Sequence, residues 1–201
     1  MGLSGLKNIF TIANGLTLAR VILLPGFIIA FLYGGKTGYA ISMAFALFFE
    51  LTDAFDGLIA RKFSGVTVTG KLLDPLADTL TRFTIFLTFM YAGFAPFWML
   101  IILFFRDMIV AYVRIGAALN NIVMGARFSG KLKAMIQGGG IFIIIAVLLA
   151  RELRYFDDPD MILSHAACWW TMLIVTTVTA YSLVDYLWAL TNMTPSDSAK
   201  N

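Results

Sequence analysis

The chain has 201 residues, of which 60% are hydrophobic and 13% charged, with a net charge of +3 and a mean hydropathy of +0.84. This composition excludes an ordinary soluble domain and is typical of an integral membrane protein. The single cysteine, Cys168, excludes an intramolecular disulfide, and no Cys or His spacing suggests zinc.

The apolar runs predict an all-α integral membrane protein with six transmembrane helices. A hydrocarbon core of roughly 30 Å needs about 20 apolar residues per helix, so the chain holds about six spans with short connections. We expect these spans over residues 15–34, 39–60, 70–91, 97–118, 134–150 and 165–190. We also expect one domain over residues 1–201, with an N-terminal segment (1–14), a six-helix core (15–193) and a polar tail (194–201).

The N-terminal segment has apolar residues at three- and four-residue spacing. Leu3, Leu6, Ile9 and Phe10 are enough for one short amphipathic helix lying in the membrane interface. A frayed terminus is the alternative. In the first span, Arg20 has two possible roles, since its side chain can reach the headgroups or remain buried.

The distribution of basic residues predicts the topology. With the N-terminus inside, the inner segments contain Lys7, Arg61, Lys62, Lys71, Arg127, Lys131, Lys133 and Lys200, whereas the outer ones contain Lys36, Arg151 and Arg154. This excess on one side fits the positive-inside rule and an even number of spans. The connection after the second span and the polar loop at residues 120–133 are therefore expected to face the cytoplasm.

Four aspartates lie at the facing ends of the second and third predicted spans: Asp53, Asp56, Asp74 and Asp78. On a helix the first two are about 60° apart and the last two about 40° apart, so each pair shares a face. Because a short loop joins the two spans, we expect antiparallel neighbours whose aspartate pairs face each other. Helix rise places the cluster roughly 10–12 Å from the flanking basic residues, just beneath the cytoplasmic interface.

Ionised carboxylates at this depth cost several kcal/mol each, so cations must compensate them. Four carboxylates without His or Cys form a hard oxygen site suited to Mg²⁺, Mn²⁺ or Ca²⁺. Two pairs also suffice for a two-metal centre, with ions about 3.5–4 Å apart. For any one carboxylate the alternative is an ion pair with Arg20, Arg82, Arg106 or Arg114, and both readings stay open for Asp107 and Asp185.

The same residues resemble a family signature. Asp53-x-x-Asp56-Gly57-x-x-Ala60-Arg61, eight residues, then Gly70-x-x-x-Asp74-x-x-x-Asp78 is similar at every defined position to the signature of the CDP-alcohol phosphotransferase family. Within it the likeness is greatest to bacterial phosphatidylglycerophosphate synthases, in Asn14-x-x-Thr17-x-x-Arg20, Leu73-Asp74-Pro75-x-Ala77-Asp78 and Gly130-Lys131-x-Lys133 followed by Gln137. Thr79 and Asp107 stand where those synthases usually have Lys and Glu.

The resemblance implies a role for each signature position. Asp53, Asp56, Asp74 and Asp78 would bind two divalent cations, Mg²⁺ or Mn²⁺. The CDP part of a CDP-linked lipid would lie against Asp53, Gly57, Ala60, Arg61 and Gly70. Asp78 would also be the general base for the acceptor hydroxyl, and CMP would leave.

The implied reaction is transfer of a phosphatidyl group from CDP-diacylglycerol to glycerol 3-phosphate. Candidates for binding the acceptor phosphate are Lys131, Lys133, Arg106 and Arg127, although the positive-inside rule explains the basic loop equally well. Other acceptors remain open: inositol phosphate, serine, choline or a lipid alcohol.

The expected setting is multi-pass in a bacterial inner membrane, with the site facing the cytoplasm. The resemblance also implies a homodimer, and the expected partners are membrane lipid, the CDP-lipid donor and a small polar alcohol, with no nucleic acid. The alternative from another class is a divalent-cation transporter, because carboxylates also line ion pathways. The outer halves of the second and third spans, residues 39–49 and 83–91, offer few polar residues for such a path.

Overall fold

The structure, a computed structural model, describes residues 12–59, 68–119, 127–158 and 161–191, and its regular structure there is entirely helical. The six helices are α1 (Ile12–Tyr33), α2 (Gly35–Ile59), α3 (Val68–Tyr91), α4 (Phe97–Leu119), α5 (Phe128–Glu152) and α6 (Ile162–Thr191). Their bounds lie close to the predicted spans, except that the fifth helix begins at Phe128 and not near residue 134, and the all-α class is confirmed. Most of the predicted interfacial segment and the polar tail lie outside the described residues.

Glycines end α1 and α3 and begin the tight connections that follow. Gly34 (φ 68°) and Gly93 (φ 85°) have the left-handed conformation that residues without a Cβ adopt at little cost. Gly34 donates its backbone N–H to the carbonyl of Phe31 at 3.1 Å, and Phe94 donates to that of Phe89 at 2.9 Å. These bonds satisfy carbonyl groups that have no partner within the helix. The two connections therefore turn the chain sharply into α2 and α4.

The six helices pack as a bundle in which α1 has a central place. α1 contacts α2 and α3, α2 contacts α5, α5 contacts α6, and α6 and α3 both contact α4. The expectation that α2 and α3 are direct neighbours stays a prediction, because the side chains at their facing ends are outside the described part of the chain. In the described part, the two helices meet at the ion pair of Glu50 with Arg82. The backbones of α1 and α2 approach each other closely. A Cβ on Gly38 would lie 2.5 Å from the carbonyl oxygen of Ala30, so only glycine permits the contact.

The core between the helices is aromatic and aliphatic. Phe27, Phe31 and Phe89 are fully buried, and the rings of Phe31 and Phe89 have centroids 4.9 Å apart, joining α1 to α3. Ile144 and Met172 extend the same cluster into α5 and α6. One continuous hydrophobic core is thus shared by the six helices.

The outward faces of the bundle are also apolar. Large hydrophobic side chains such as Ile29, Met135, Val184 and Trp188 are more than half exposed. By length and composition, two described segments are apolar enough to cross a membrane, Phe128–Glu152 and Ile162–Ala189, and Leu18–Tyr33 is a shorter apolar helix. These features are consistent with a membrane protein. The prediction of six spans remains a prediction.

Candidate functional site

A narrow cleft between α1, α2, α3 and α5 brings several charged side chains together. Its walls are formed by Arg20, Ala46, Phe49, Glu50, Asp53, Asp78, Thr81, Arg82, Ile85 and Ile141. Three of these residues are acidic and two are basic, and the rest are mostly apolar. The cleft therefore concentrates charge inside an apolar bundle, where ionic interactions are stronger than in water.

Arg20 and Asp53 form one ion pair in the cleft. The Nη1 atom of Arg20 donates to Oδ1 of Asp53 at 2.9 Å, joining α1 to α2. Arg20 is 2% exposed, so the buried role is the one the structure has, and its side chain does not reach toward headgroups. The side chain of Asp53 is 44% exposed and opens into the cleft.

Arg82 forms a second and larger network. Its Nε donates to Oδ1 of Asp78 at 2.8 Å, one turn earlier on α3, and its Nη1 donates to the backbone carbonyl of Ala134 on α5 at 3.2 Å. The same Nη1 is 3.4 Å from Oε1 of Glu50 on α2. Arg82 is buried, whereas the two carboxylates are each a little more than one-third exposed. One guanidinium therefore connects three helices.

Asp53 from α2 and Asp78 from α3 both line this cleft. The other two predicted metal ligands, Asp56 and Asp74, lie within α2 and α3, but their side chains are outside the described part of the chain. Gly57 and Gly70 are helical residues of α2 and α3, and Ala60 and Arg61 are outside the described residues. The predicted metal and CDP sites therefore stay predictions.

The donor chemistry of the cleft fits a hard cation. Asp53 and Asp78 supply carboxylate oxygens from α2 and α3, and both side chains are partly exposed and line the cleft. In the described residues no group of three or more His, Cys, Asp or Glu side chains is close enough together to hold a metal ion. A complete ligand set would therefore need Asp56 and Asp74 as well.

A second charged cluster lies between α4, α5 and α6. Lys133 donates to both carboxylate oxygens of Asp107, at 2.8 and 2.9 Å, and Arg106 donates from Nη1 to Oδ1 of Asp107 at 2.9 Å. Arg106 also donates from Nε to the hydroxyl of Ser182 at 2.8 Å. Both cations are buried. Asp107 is thus an ion-pair partner, which was one of its two open roles.

Arg127 and Asp185 form a bidentate ion pair at the edge of this cluster. The two bonds measure 2.8 and 2.7 Å, and Ser129 donates to the same carboxylate. The hydrogen bond with Asp185 raises the pKa of Arg127, which stands just before α5. Residues 120–133 were predicted to be a loop, but α5 already begins at Phe128, because these contacts attach its first turn to α6.

The four acceptor-phosphate candidates therefore differ in their surroundings. Arg106 and Lys133 share Asp107, Arg127 is paired with Asp185, and Lys131 is exposed on the first turns of α5. Tyr186 contributes an aromatic ring, with the guanidinium of Arg106 5.6 Å from its centroid. Arg114 donates to the Tyr186 hydroxyl.

Two residues of the cleft were missed as site residues. Glu50 was not singled out, and Arg82 was considered only as an ion-pair partner. A sequence signal existed for both, because Glu50 is three residues before Asp53 and Arg82 is four residues after Asp78, on the faces that carry the aspartates. What the sequence could not show is that the two side chains meet.

Comparison with known proteins adds independent information. The family model described as CDP-alcohol phosphatidyltransferase matches residues 10–181. A probable phosphatidylglycerophosphate synthase of Mycobacterium tuberculosis is 32% identical over 149 residues, covering 73% of this chain and 71% of that protein.

Two further relatives span most of the chain. A CDP-diacylglycerol–glycerol-3-phosphate 3-phosphatidyltransferase of Bacillus subtilis is 30% identical over 191 residues, covering 89% of this chain and 96% of that protein. A probable CMP-forming cardiolipin synthase of Drosophila melanogaster is 27% identical over 195 residues, covering 89% of this chain and 58% of that protein.

Proposed function

Because the chain belongs to the CDP-alcohol phosphatidyltransferase family, we propose that it transfers the phosphatidyl group of CDP-diacylglycerol to glycerol 3-phosphate and releases CMP. Family membership makes the protein a transferase. It argues against the divalent-cation transporter, the alternative that intramembrane carboxylates also suggested. The observation that carries the proposal is that Asp53 and Asp78, from the two halves of the signature, line one cleft. The names of the bacterial relatives support the choice of acceptor.

The chain's own residues would perform distinct parts of the transfer. Asp78 takes the proton of the acceptor hydroxyl, whose oxygen then attacks the lipid-bearing phosphorus while the bond to the CMP phosphate breaks. Arg82 orients the carboxylate of Asp78 through the Nε bond at 2.8 Å. Asp53, Gly57, Ala60, Arg61 and Gly70 would hold the CDP part of the donor.

Two divalent cations, Mg²⁺ or Mn²⁺, held by Asp53, Asp56, Asp74 and Asp78, would supply positive charge for the phosphate oxygens and polarise the acceptor hydroxyl. Arg20 has a supporting role, because it holds Asp53 against α1 and so keeps its carboxylate at the cleft. The apolar residues Phe49, Ile85 and Ile141 line the same cleft and would limit the access of water to the charged groups.

The acceptor phosphate would bind near Lys131, Lys133, Arg106 and Arg127. Lys133 and Arg106 are buried cations that share one carboxylate, that of Asp107. A phosphate that carries two negative charges would compete with this carboxylate for both cations. Lys131 is exposed at the same end of α5 and is free to move toward an incoming anion.

We further propose that the protein is a single domain with six membrane spans and its site at the cytoplasmic side of a bacterial inner membrane. The exposed apolar residues on α1, α5 and α6 suit contact with lipid, because a water-facing helix would show polar residues there. The excess of basic residues in the predicted inner segments supports the orientation. A homodimer belongs to the same proposal.

The acceptor is tested by supplying purified protein with CDP-diacylglycerol, Mg²⁺ or Mn²⁺, and one candidate alcohol at a time. We expect CMP release with glycerol 3-phosphate, and loss of release on chelation of the metal. CMP release only with inositol phosphate, serine, choline or a lipid alcohol would show that this alcohol, and not glycerol 3-phosphate, is the acceptor. Absence of release with every alcohol would overturn the proposed transfer.

The role of Asp78 is tested by Asp78→Asn. Loss of a general base lowers turnover by about 10²–10⁴-fold, whereas metal-dependent binding of CDP-diacylglycerol should be partly retained. Asp157→Asn is the matched control, since Asp157 is exposed in the connection between α5 and α6. Full turnover in Asp78→Asn would remove Asp78 as the base.

A further inference from the structure

Glu50 reaches the cleft from α2 and approaches the buried cation that holds Asp78. Its Oε1 is 3.4 Å from Nη1 of Arg82, and Arg82 donates from Nε to Asp78 at 2.8 Å. Arg82 thus lies between two carboxylates, one on its own helix and one on α2. The proposed transfer assigns no role to Glu50.

The backbone of α5 encloses this pair. Arg82 also donates to the carbonyl of Ala134, and one turn later Gly138 faces the pair. A Cβ at Gly138 would lie 3.0 Å from Oε1 of Glu50 and 3.6 Å from Nη1 of Arg82. The backbone of α5 therefore lies close against Glu50 and Arg82, which distinguishes their contact from a surface ion pair.

A buried guanidinium needs an anionic partner at all times. Removing one partner of a buried ion pair is strongly destabilising, because it leaves an uncompensated charge in a medium of low polarity. If Asp78 turns toward a cation or an acceptor hydroxyl, its bond to Arg82 lengthens or breaks. Glu50 is then the carboxylate that still faces Arg82.

We propose that Glu50 is a positioning residue that compensates Arg82 and thereby allows Asp78 to leave it during turnover. This inference rests on the proposed function of Asp78. Glu50 acts through Arg82, so its effect should disappear when the charge of Arg82 is removed. Without Glu50, Asp78 would be the one described carboxylate that forms an ion pair with Arg82, and it would be held there.

The first test measures Mn²⁺ binding to the full chain without substrates, by calorimetry in detergent, for wild type, Glu50→Gln, Arg82→Gln and the double variant. We expect Glu50→Gln to weaken Mn²⁺ binding about tenfold more in the wild-type background than in the Arg82→Gln background. Only in the wild-type background does Glu50→Gln leave the buried charge of Arg82 uncompensated. Equal weakening in the two backgrounds would mean that Glu50 acts on the cation directly and would overturn the inference.

The second test measures CMP release from CDP-diacylglycerol, with the acceptor that the wild-type protein uses. Glu50→Gln should lower kcat by about tenfold or more while changing the KM for CDP-diacylglycerol by less than about threefold, because Glu50 acts on Asp78 through Arg82 and not on the donor. Glu50→Asp should recover most of the loss, since it retains the charge. Unchanged kcat in Glu50→Gln, or no recovery in Glu50→Asp, would overturn the inference.

One control variant and one fallback comparison separate this result from other causes. Glu152→Gln removes a carboxylate that pairs with Arg151 at the far end of α5, and it should leave Mn²⁺ binding and kcat unchanged. If Arg82→Gln does not yield folded protein, the Glu50→Gln and Glu50→Asp pair decides the outcome in the wild-type background. Failure of the wild-type protein to release CMP would overturn the proposed function, whereas the Mn²⁺ cycle would still test the coupling between Glu50 and Arg82.

Discussion

Gly138, Gly139 and Gly140 are successive residues of α5 that face three different surroundings. A Cβ on Gly140 would lie 2.6 Å from Cγ2 of Val175 on α6, whereas a Cβ on Gly139 would meet no atom within 4 Å. Alanine substitution at each position should therefore have a different effect on stability. The three variants measure how closely α5 approaches its neighbours.

The magnitudes follow from two opposing contributions. Alanine is favoured over glycine in a helix interior by about 1 kcal/mol, and this gain applies at every position. At Gly140 the added methyl overpacks against Val175, which is buried and has a stiff β-branched side chain, and such overpacking costs about 1–3 kcal/mol. We therefore expect Gly139→Ala to be stabilising by about 1 kcal/mol and Gly140→Ala to be destabilising by up to about 2 kcal/mol.

Thermal unfolding in detergent, followed by tryptophan fluorescence, measures these changes. For a chain of this size 1 kcal/mol shifts the midpoint by about 2–4 °C, so Gly139→Ala should raise it by roughly that amount and Gly140→Ala should lower it. Gly138→Ala should fall between them, because its nearest atom is the flexible end of Glu50 at 3.0 Å. A loss of stability in Gly139→Ala as large as that in Gly140→Ala would refute the packing of α5 on α6.

Two other predictions concern the hydrogen bonds of Asp158 at the beginning of α6 and the ion pairs of Asp107. Asp158 accepts hydrogen bonds from the backbone N–H groups of Leu163 and Ser164, at 3.0 and 2.8 Å, and from the Ser164 hydroxyl. Burial raises the pKa of Asp158, but the bonds from Ser164 and Leu163 outweigh it and hold the pKa below its usual value. The stabilisation by Asp158 is therefore complete above the unfolded pKa of about 3.9 and is lost as pH falls through the folded pKa. The difference in melting midpoint between wild type and Asp158→Ala should shrink with acidification below about pH 4. A difference that stays constant would contradict this prediction. Asp107→Asn leaves Lys133 and Arg106 without their shared carboxylate and should be destabilising by about 3 kcal/mol, and a midpoint equal to that of the Asp157→Asn control would contradict this.

The helices could be predicted closely, whereas the beginning of α5 could not. Apolar runs and the glycines at 34 and 93 mark the ends of α1 and α3, because hydrophobic length and turn chemistry are local properties. The first turn of α5 reads as a polar loop, since Arg127, Lys131 and Lys133 interrupt the apolar pattern. It is helical because Arg127 and Ser129 bond to Asp185, a residue far away in sequence.

The residues of the candidate site could be named from the sequence, but their contacts could not. The spacing of Asp53 and Asp78 within the signature could be recognised without a structure, and the structure brings both into one cleft. The ion pairs of Arg20 with Asp53 and of Arg82 with Asp78 could be considered only as alternatives to metal binding. A sequence offers several arginines as partners, and distances alone select among them.

The sequence by itself determined the all-α class, the apolar character of the helices, the family and the two aspartate pairs of the signature, because each depends on composition or on spacing along the chain. Only the tertiary structure decided that α1 contacts both α2 and α3, that Asp107 pairs with Lys133 and Asp185 with Arg127, and that Glu50 approaches Arg82. These contacts join residues from different helices. They depend on how closely backbones approach at glycines such as Gly38 and Gly138, and this approach is set by packing of the whole bundle.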